Sequence, residues 1–412
     1  MKKIIGKLNP RDNVVHIWGA GFSGLTLGYY LKKEGYKVNI YEISDKIGGK
    51  IGTHKTVAGL VEHGANAFYM SADALELFTE LKLSPVPATK KLKRLLLIDG
   101  KARKPIDPSI ISKILFNLHK RPPLITEGLT VADFFKPLIG KENVDHYISP
   151  ALGGIYATPS EKLHFKSIFS DLNEIAQFNS YWNFLKIFAK KIKMKNNLEI
   201  NGSVSFEGGM QTLINTLGEK LKDEIKLNYK EPFTLKSNTI ICTDAKTASE
   251  LLSNSKPHLS VELKRIMYQP LSSTTVFLKR EIRSLQKAFG VLVPFENSLN
   301  SIGILNNKSI FPSNNENVNS YTFISKKNCT KDEILADIKY LQNDFSIEDV
   351  DHIESRYWEN ALPVYDLQRY LSIKKLHQLT ENEEGIAFFG NYVAGISLRE
   401  MLTAAKNFAK RS

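Results

Sequence analysis

The chain has 412 residues, 42% of them hydrophobic and 24% charged, enough for about two to three domain-sized cores in a globular protein. Its 56 Lys and Arg against 43 Asp and Glu give a net charge of +13, which attracts anions but cannot by itself choose among nucleic acid, acidic lipid and a polyanionic substrate. Cys242 and Cys329 lack the spacing of a metal site or disulfide framework, and no signal-type apolar segment or run of about 18 apolar residues occurs, so a reducing cytosol is expected, with no metal, no secretion and no spanning helix.

The first elements carry most of the chemistry. Val14–Trp18 reads as a short apolar strand, Gly19-Ala20-Gly21-Phe22-Ser23-Gly24 as a turn, and Leu25, Leu27, Tyr30 and Leu31 as the buried side of a helix. In such a unit Gly19 permits a tight turn, Gly21 lets a pyrophosphate approach the backbone and Gly24 lets helix and strand pack closely, while the helix N-terminus faces the phosphates. Gly35-Tyr36 ends the helix, and a second strand, KVNIYE, finishes on Glu42, placed to accept from ribose hydroxyls. A dinucleotide is the expected ligand.

A second glycine pair follows at once in DKIGGKIGT, Asp45 to Thr53. It resembles the motif with which flavin amine oxidases wrap the flavin side of FAD, through Gly48, Gly49 and two flanking basic residues. Those residues are Lys46 and Lys50 here, and lysine carries the charge without the bidentate fork of arginine. GLVEHGANAFY resembles the next segment of that superfamily, which places Glu62 and Gly64 close to the flavin. His54 and His63 attract attention as acid–base residues, but hydride transfer to a flavin needs no histidine, so His63 is read as packing or hydrogen-bonding.

Residues 71 to about 200 read as mostly helical, broken at proline clusters. Inside them, residues 178–197 make a basic amphipathic helix: Tyr181, Leu185, Phe188 and Ile192 share one face, Lys186, Lys190 and Lys193 another, with Trp182 and Phe184 alongside. Its apolar face suits either a lipid interface or the core of this insertion. Ser205–Leu221 returns to the nucleotide unit, and Thr239–Leu252 reads as strand, turn and helix. STTVFLK, GVLVPF, SIGIL and YTFIS form a run of strands, and Pro312–Ser320 an exposed hairpin loop. The tail, GIAFFGNYVAGISLREML, reads as an apolar strand ending at Gly390, a loop through Gly395 and a helix from about Leu398.

PALGGIYATPSEKL, SFEGGMQTL, WENALPVYDLQRY and FFGNYVAGISLREML, in this order, resemble the protoporphyrinogen oxidase family over most of the chain. The resemblance implies an α/β fold of flavin amine oxidase type: a Rossmann-type FAD-binding domain from residues 1–70, 201–255 and 361–412, a mixed-sheet substrate domain over 256–360, and a helical insertion over 71–200. It implies FAD held by Gly19, Ala20, Gly21, Phe22, Ser23, Gly24, Glu42, Gly48, Gly49, Lys50 and Gly64, with Gly390, Asn391, Ile396 and Ser397 from the tail. No residue is expected to act as a catalyst beside the flavin. The substrate implied is a porphyrinogen, protoporphyrinogen IX or coproporphyrinogen III, with oxygen as acceptor and no nucleic acid as partner. Arg94, with Arg103 as competitor, matches the family's carboxylate anchor; Gly154 and Ile155 match its pocket lining. Trp358, Pro363 and Tyr365 read equally well as core. Thr158 stands where the family has glycine, which questions the local turn. Related readings are an amine oxidase, a carotenoid or lipid desaturase, and a flavin binder without turnover. A cytoplasmic protein is expected, peripheral on the inner face of the cell membrane if the 178–197 helix meets lipid.

Overall fold

Strands from three distant parts of the chain pair to make the first sheet. In the computed structural model, which describes residues 3–105, 108–170, 178–194 (side chains of 191–194 excepted), 202–297, 299–315 and 318–411, its order is Ile5–Lys7, Ile386–Phe388, Thr239–Ile241, Val14–Trp18, Lys37–Tyr41 and Ile225–Lys226. All pairs are parallel except Ile5–Lys7 against Ile386–Phe388. The central strands are short apolar runs because a parallel sheet is covered on both faces. On one face Ile17, Ile40 and Ala387 pack with the helices Phe22–Lys33, Gln211–Lys220 and Leu398–Ala409. On the other, Ile241 and Phe388 pack with Ala245–Leu252, Pro257–Lys264 and Leu367–Leu379.

The second sheet has seven strands in the order Val350–Pro363, Tyr268–Leu278, Asn319–Ser325, Ser301–Asn306, Ala288–Leu292, Lys93–Ile98 and Lys101–Arg103. Only Ala288–Leu292 and Lys93–Ile98 run parallel. One face carries Leu95, Leu97, Val276, Val291, Ile304 and Phe323, closed by Ile334 and Ile338 of the helix Lys331–Leu341. By strand alternation the opposite face carries Arg94, Leu96, Leu292, Ser273 and Phe277, and Ser273 Oγ on it donates to Glu62 O at 3.3 Å. That face therefore looks toward the first sheet's unit.

Two readings of the sequence need correction here. The stretch 71–200 is not helical throughout: Pro85–Pro87 joins a small sheet with Phe68–Tyr69 and Ser203–Phe206, and residues 93–103 add two strands to the large sheet. The two strands turn at Asp99-Gly100, both with positive φ, the backbone that a two-residue hairpin needs. Pro312–Ser320, part of which lies outside the described residues, is not simply an exposed loop: Asn315 is buried and donates to Phe311 O, and Asn314 donates to Phe206 O.

The remaining helices form a separate aromatic core. The helix Tyr181–Met194 buries Tyr181 and Phe184 against Phe134, Phe165 and Phe178, with Leu185 and Phe188 packed beside them. Of the two faces expected for this helix, the apolar one thus meets the insertion's own core; the side chains of Ile192 and Lys193 lie outside the described residues. Trp182 points outward, 60% exposed.

Candidate functional site

The two glycine motifs fold against each other. Gly48 N donates to Ala20 O at 2.9 Å, and Gly21 bridges Gly48 in parallel. Gly24 sits so close under the turn that a Cβ there would lie 1.9 Å from Gly19 O, a direct reason for glycine at that position. Gly48 has φ +110°, and a Cβ would meet Ile51 O at 2.6 Å, so the second motif is equally intolerant of a side chain. The helix Phe22–Lys33 starts on Gly21 with neither a side-chain cap nor an acidic residue in its first turn. Its terminal amide dipoles are left for an anion.

Glu42 is tied in on both oxygens. Oε2 accepts from Ala20 N at 2.8 Å, and Oε1 from Ser44 N and Oγ at 3.0 and 2.9 Å. A carboxylate offers about four lone-pair sites, so acceptor capacity remains for a ribose hydroxyl. The carboxylate also anchors the glycine turn to the end of the second strand, a role sequence spacing alone does not reveal.

Lys50 and Glu62 are two half-buried ionisable residues next to these loops. The Lys50 ammonium donates to Asn360 O and, at 2.9 Å, to Ala361 O, and burial pushes its pKa down to about 8. It fastens the loop to the end of the long strand Val350–Pro363. Glu62 accepts from Met210 N at 2.9 Å and Thr53 Oγ1 at 2.8 Å, yet burial outweighs both bonds and raises it to about 7. Gly64 abuts the Lys50 carbonyl. His54 and His63 both meet Glu354, at 2.9 and 2.8 Å. No local signal could have found Glu354, some 300 residues away.

The tail closes on the same place. Gly390 precedes the turn Asn391–Ala394, and Asn391 O accepts from the buried Tyr365 Oη at 2.6 Å. Ile396 packs against the cluster of Tyr365 and Leu163. Ser397 begins the helix Leu398–Ala409 without capping it by its side chain, and Ser23 Oγ contacts Met401 Sδ at 3.4 Å. Trp358 Nε1 donates to His63 O at 2.7 Å, Pro363 is buried, and the Arg369 guanidinium lies 3.7 Å from the Tyr365 ring centroid. Tyr365 is thus buried in a core cluster, whereas Trp358 is half-buried.

Of the expected substrate residues, Gly154 lies against Leu292 and its neighbour Gly153 against Phe295, on the sheet face that looks toward Glu62. Ile155 is 53% exposed. Arg94 is exposed, its guanidinium 5.2 Å from the Phe289 ring centroid. Arg103, also exposed, pairs directly with Leu96 and so shares that face. Lys46 remains at the surface. The turn after the helix Ser149–Tyr156 forms one residue earlier than expected: Ala157 takes φ +50°, and Thr158 is buried with its hydroxyl on Tyr156 O at 3.0 Å.

A side-chain-free cradle, uncapped helix N-termini and a carboxylate at the second strand's end fit FAD. The sequence pattern described as flavin containing amine oxidoreductase matches residues 22–231. The mitochondrial protoporphyrinogen oxidase of Nicotiana tabacum is 26% identical over 96% of this chain and 94% of its own; a coproporphyrinogen III oxidase of Staphylococcus aureus is 28% identical over 39% of this chain and 40% of its own. Among solved structures, a protein of Exiguobacterium sp. 255-15 assigned as a protoporphyrinogen oxidase superposes with TM-score 0.78 at 15% identity, over 97% of this chain and 98% of its own. Reduced UDP-galactopyranose mutase gives 0.73 at 13% identity, over 96% of this chain and 94% of its own; such identities speak for the fold alone. The chain belongs to the flavin-containing amine oxidoreductase family, as an FAD-dependent oxidoreductase.

Proposed function

We propose that the protein is a porphyrinogen oxidase, acting on protoporphyrinogen IX or coproporphyrinogen III with oxygen as final acceptor. The names of the tobacco and staphylococcal relatives support the substrate class. The observation that carries the reading is the shared sheet face: Arg94, Arg103 and Leu292 lie on the side that also presents Ser273 to Glu62 O. An apolar wall with a guanidinium at its rim suits a flat macrocycle with propionate arms.

In this reading Gly19, Ala20, Gly21, Phe22, Ser23 and Gly24, with Gly390 and Asn391, hold the pyrophosphate, and Glu42 the adenosine ribose. Gly48, Gly49, Lys50 and Gly64 line the flavin side, with Ile396 and Ser397 at the last helix's N-terminus. FAD bound there supplies the hydride acceptor. The chain's own part is placement: Gly154 and Ile155 border the macrocycle, and Arg94 or Arg103 grips a propionate. Lys50, spent on the carbonyls of Asn360 and Ala361, positions its loop rather than the substrate.

Among the described residues no helix is long and apolar enough to cross a membrane. A peripheral contact with anionic lipid falls on a different element from the one the sequence suggested. The helix Pro108–Asn117 exposes Ile111, Leu115 and Phe116, the last at 74%, and Trp182 N donates to Leu118 O at 3.0 Å just beyond its end. Lys113, Lys120 and Lys186, on the same two helices or just beyond the first, are exposed as well.

The test is anaerobic mixing of the purified holoenzyme with each porphyrinogen. Flavin bleaching with growth of porphyrin fluorescence is the expected result and names the substrate. A flavin that stays oxidised with both removes the assignment.

A further inference from the structure

A hairpin of the nucleotide unit and a strand of the large sheet bring three histidines to one carboxylate. Strands Thr53–Lys55 and Leu60–Glu62 pair with His54 opposite Val61, and His63 follows directly. His54 Nδ1 is 2.9 Å from both oxygens of Glu354, and His63 Nε2 is 2.8 Å from Oε1. On the strand Val350–Pro363, His352 shares a face with Glu354 by alternation. Its Nε2 is buried without a hydrogen bond, 3.8 Å from Glu354 Oε2.

We propose that His54, His63 and Glu354 bind a divalent cation of the zinc class, with His352 within reach of the fourth position. Their ligand atoms lie within 4.8 Å of one another, and two imidazoles with a carboxylate are a donor set that zinc accepts. In a tetrahedral site with metal–ligand bonds near 2.1 Å, ligand atoms stand about 3.4 Å apart. The imidazole nitrogens now touching Glu354 at 2.8–2.9 Å need only part by about half an ångström to admit the ion.

Two features hold the cluster ready. His63 N donates to Gly52 O at 2.8 Å, and His63 O accepts from Trp358 Nε1 at 2.7 Å, so its backbone is fixed to both partners. The alternative occupant of the cluster is a proton on each imidazole. A neutral imidazole can carry that proton on its facing nitrogen, whereas one divalent ion binds all three groups with those nitrogens unprotonated. The ion would cross-link the hairpin to a strand nearly 300 residues further on, holding the two units together at the edge of the nucleotide cradle.

The experiment uses the FAD-loaded full-length protein, dialysed against chelator and titrated with Zn2+ and, separately, Co2+. One Zn2+ per chain is expected, with the intense visible difference absorption of four-coordinate Co2+. Glu354→Gln and the peripheral His54→Ala should each weaken Zn2+ binding by more than about 100-fold, beyond the 10- to 100-fold that outer-shell partners cost, with flavin content unchanged. Equal Zn2+ affinity in the unaltered protein and in His54→Ala overturns the site, as does weak Co2+ absorption indifferent to both substitutions. The second result leaves the cluster as hydrogen bonds from two imidazoles to one carboxylate.

Discussion

Glu42 anchors the glycine turn and, in the proposed function, accepts from the adenosine ribose, so its removal should have two effects. Glu42→Ala loses the ribose acceptor and frees Ala20 N; at about 1.5–3 kcal/mol for bonds to a charged group, FAD affinity should fall roughly 10- to 100-fold. Flavin retention after gel filtration at low protein concentration measures it. Glu62 predicts a pH effect instead. Its rise from 4.5 to about 7 means the folded protein holds the proton more tightly, so stability is full at acid pH and drains away as pH climbs from about 4.5 through 7. Over that window the unaltered protein should lose about 3 kcal/mol relative to Glu62→Gln, read from urea midpoints; parallel curves would show that folding leaves the Glu62 carboxyl unshifted. For the substrate, Arg94→Ala should raise the Michaelis constant for porphyrinogen about tenfold or more with FAD content intact. If only Arg103→Ala does so, the anchor lies one strand further out.

Elements were legible in proportion to how local their causes are. Both glycine turns, Glu42 and the last helix announce themselves within a few residues, because the chemistry of a turn or a phosphate cradle is written where it is used. Lys93–Ile98 was not, since six apolar and basic residues fit helix or strand equally, and its partner Ala288–Leu292 lies far along the chain. The local mark of this hairpin is Asp99-Gly100. For the helix Tyr181–Met194 the face was right, but nothing in its own sequence could say that Phe134 and Phe165 cover it. A consequence is testable with vesicles of anionic lipid: the protein should sediment with them, more weakly at high salt. Leu115→Ser with Phe116→Ser should abolish this, whereas Lys186→Glu with Lys190→Glu should only weaken it. No sedimentation at low salt would leave both helices facing water or protein.

At the scale of the whole molecule, the nucleotide sheet is assembled from residues 5–41, 225–241 and 386–388, and its cradle receives loops from each. The large sheet and the aromatic-core helices are inserted between those parts, and the family pattern matched over 22–231 stops well short of the residues that close the site. A chain truncated after residue 380 should therefore bind no flavin and be cut rapidly by protease within 14–53, while the intact chain resists. Survival of that region in the truncated chain would show that the first βαβ unit stands alone. The pairing of Ile5–Lys7 with Ile386–Phe388 carries this into the cell. At about 5–20 residues per second, the ribosome delivers the N-terminal strand roughly 20 seconds or more before its partner. Throughout that interval the glycine turn waits with an open strand edge and no cofactor, so chaperone demand during synthesis falls on the nucleotide unit, and flavin supply matters only once translation is nearly over.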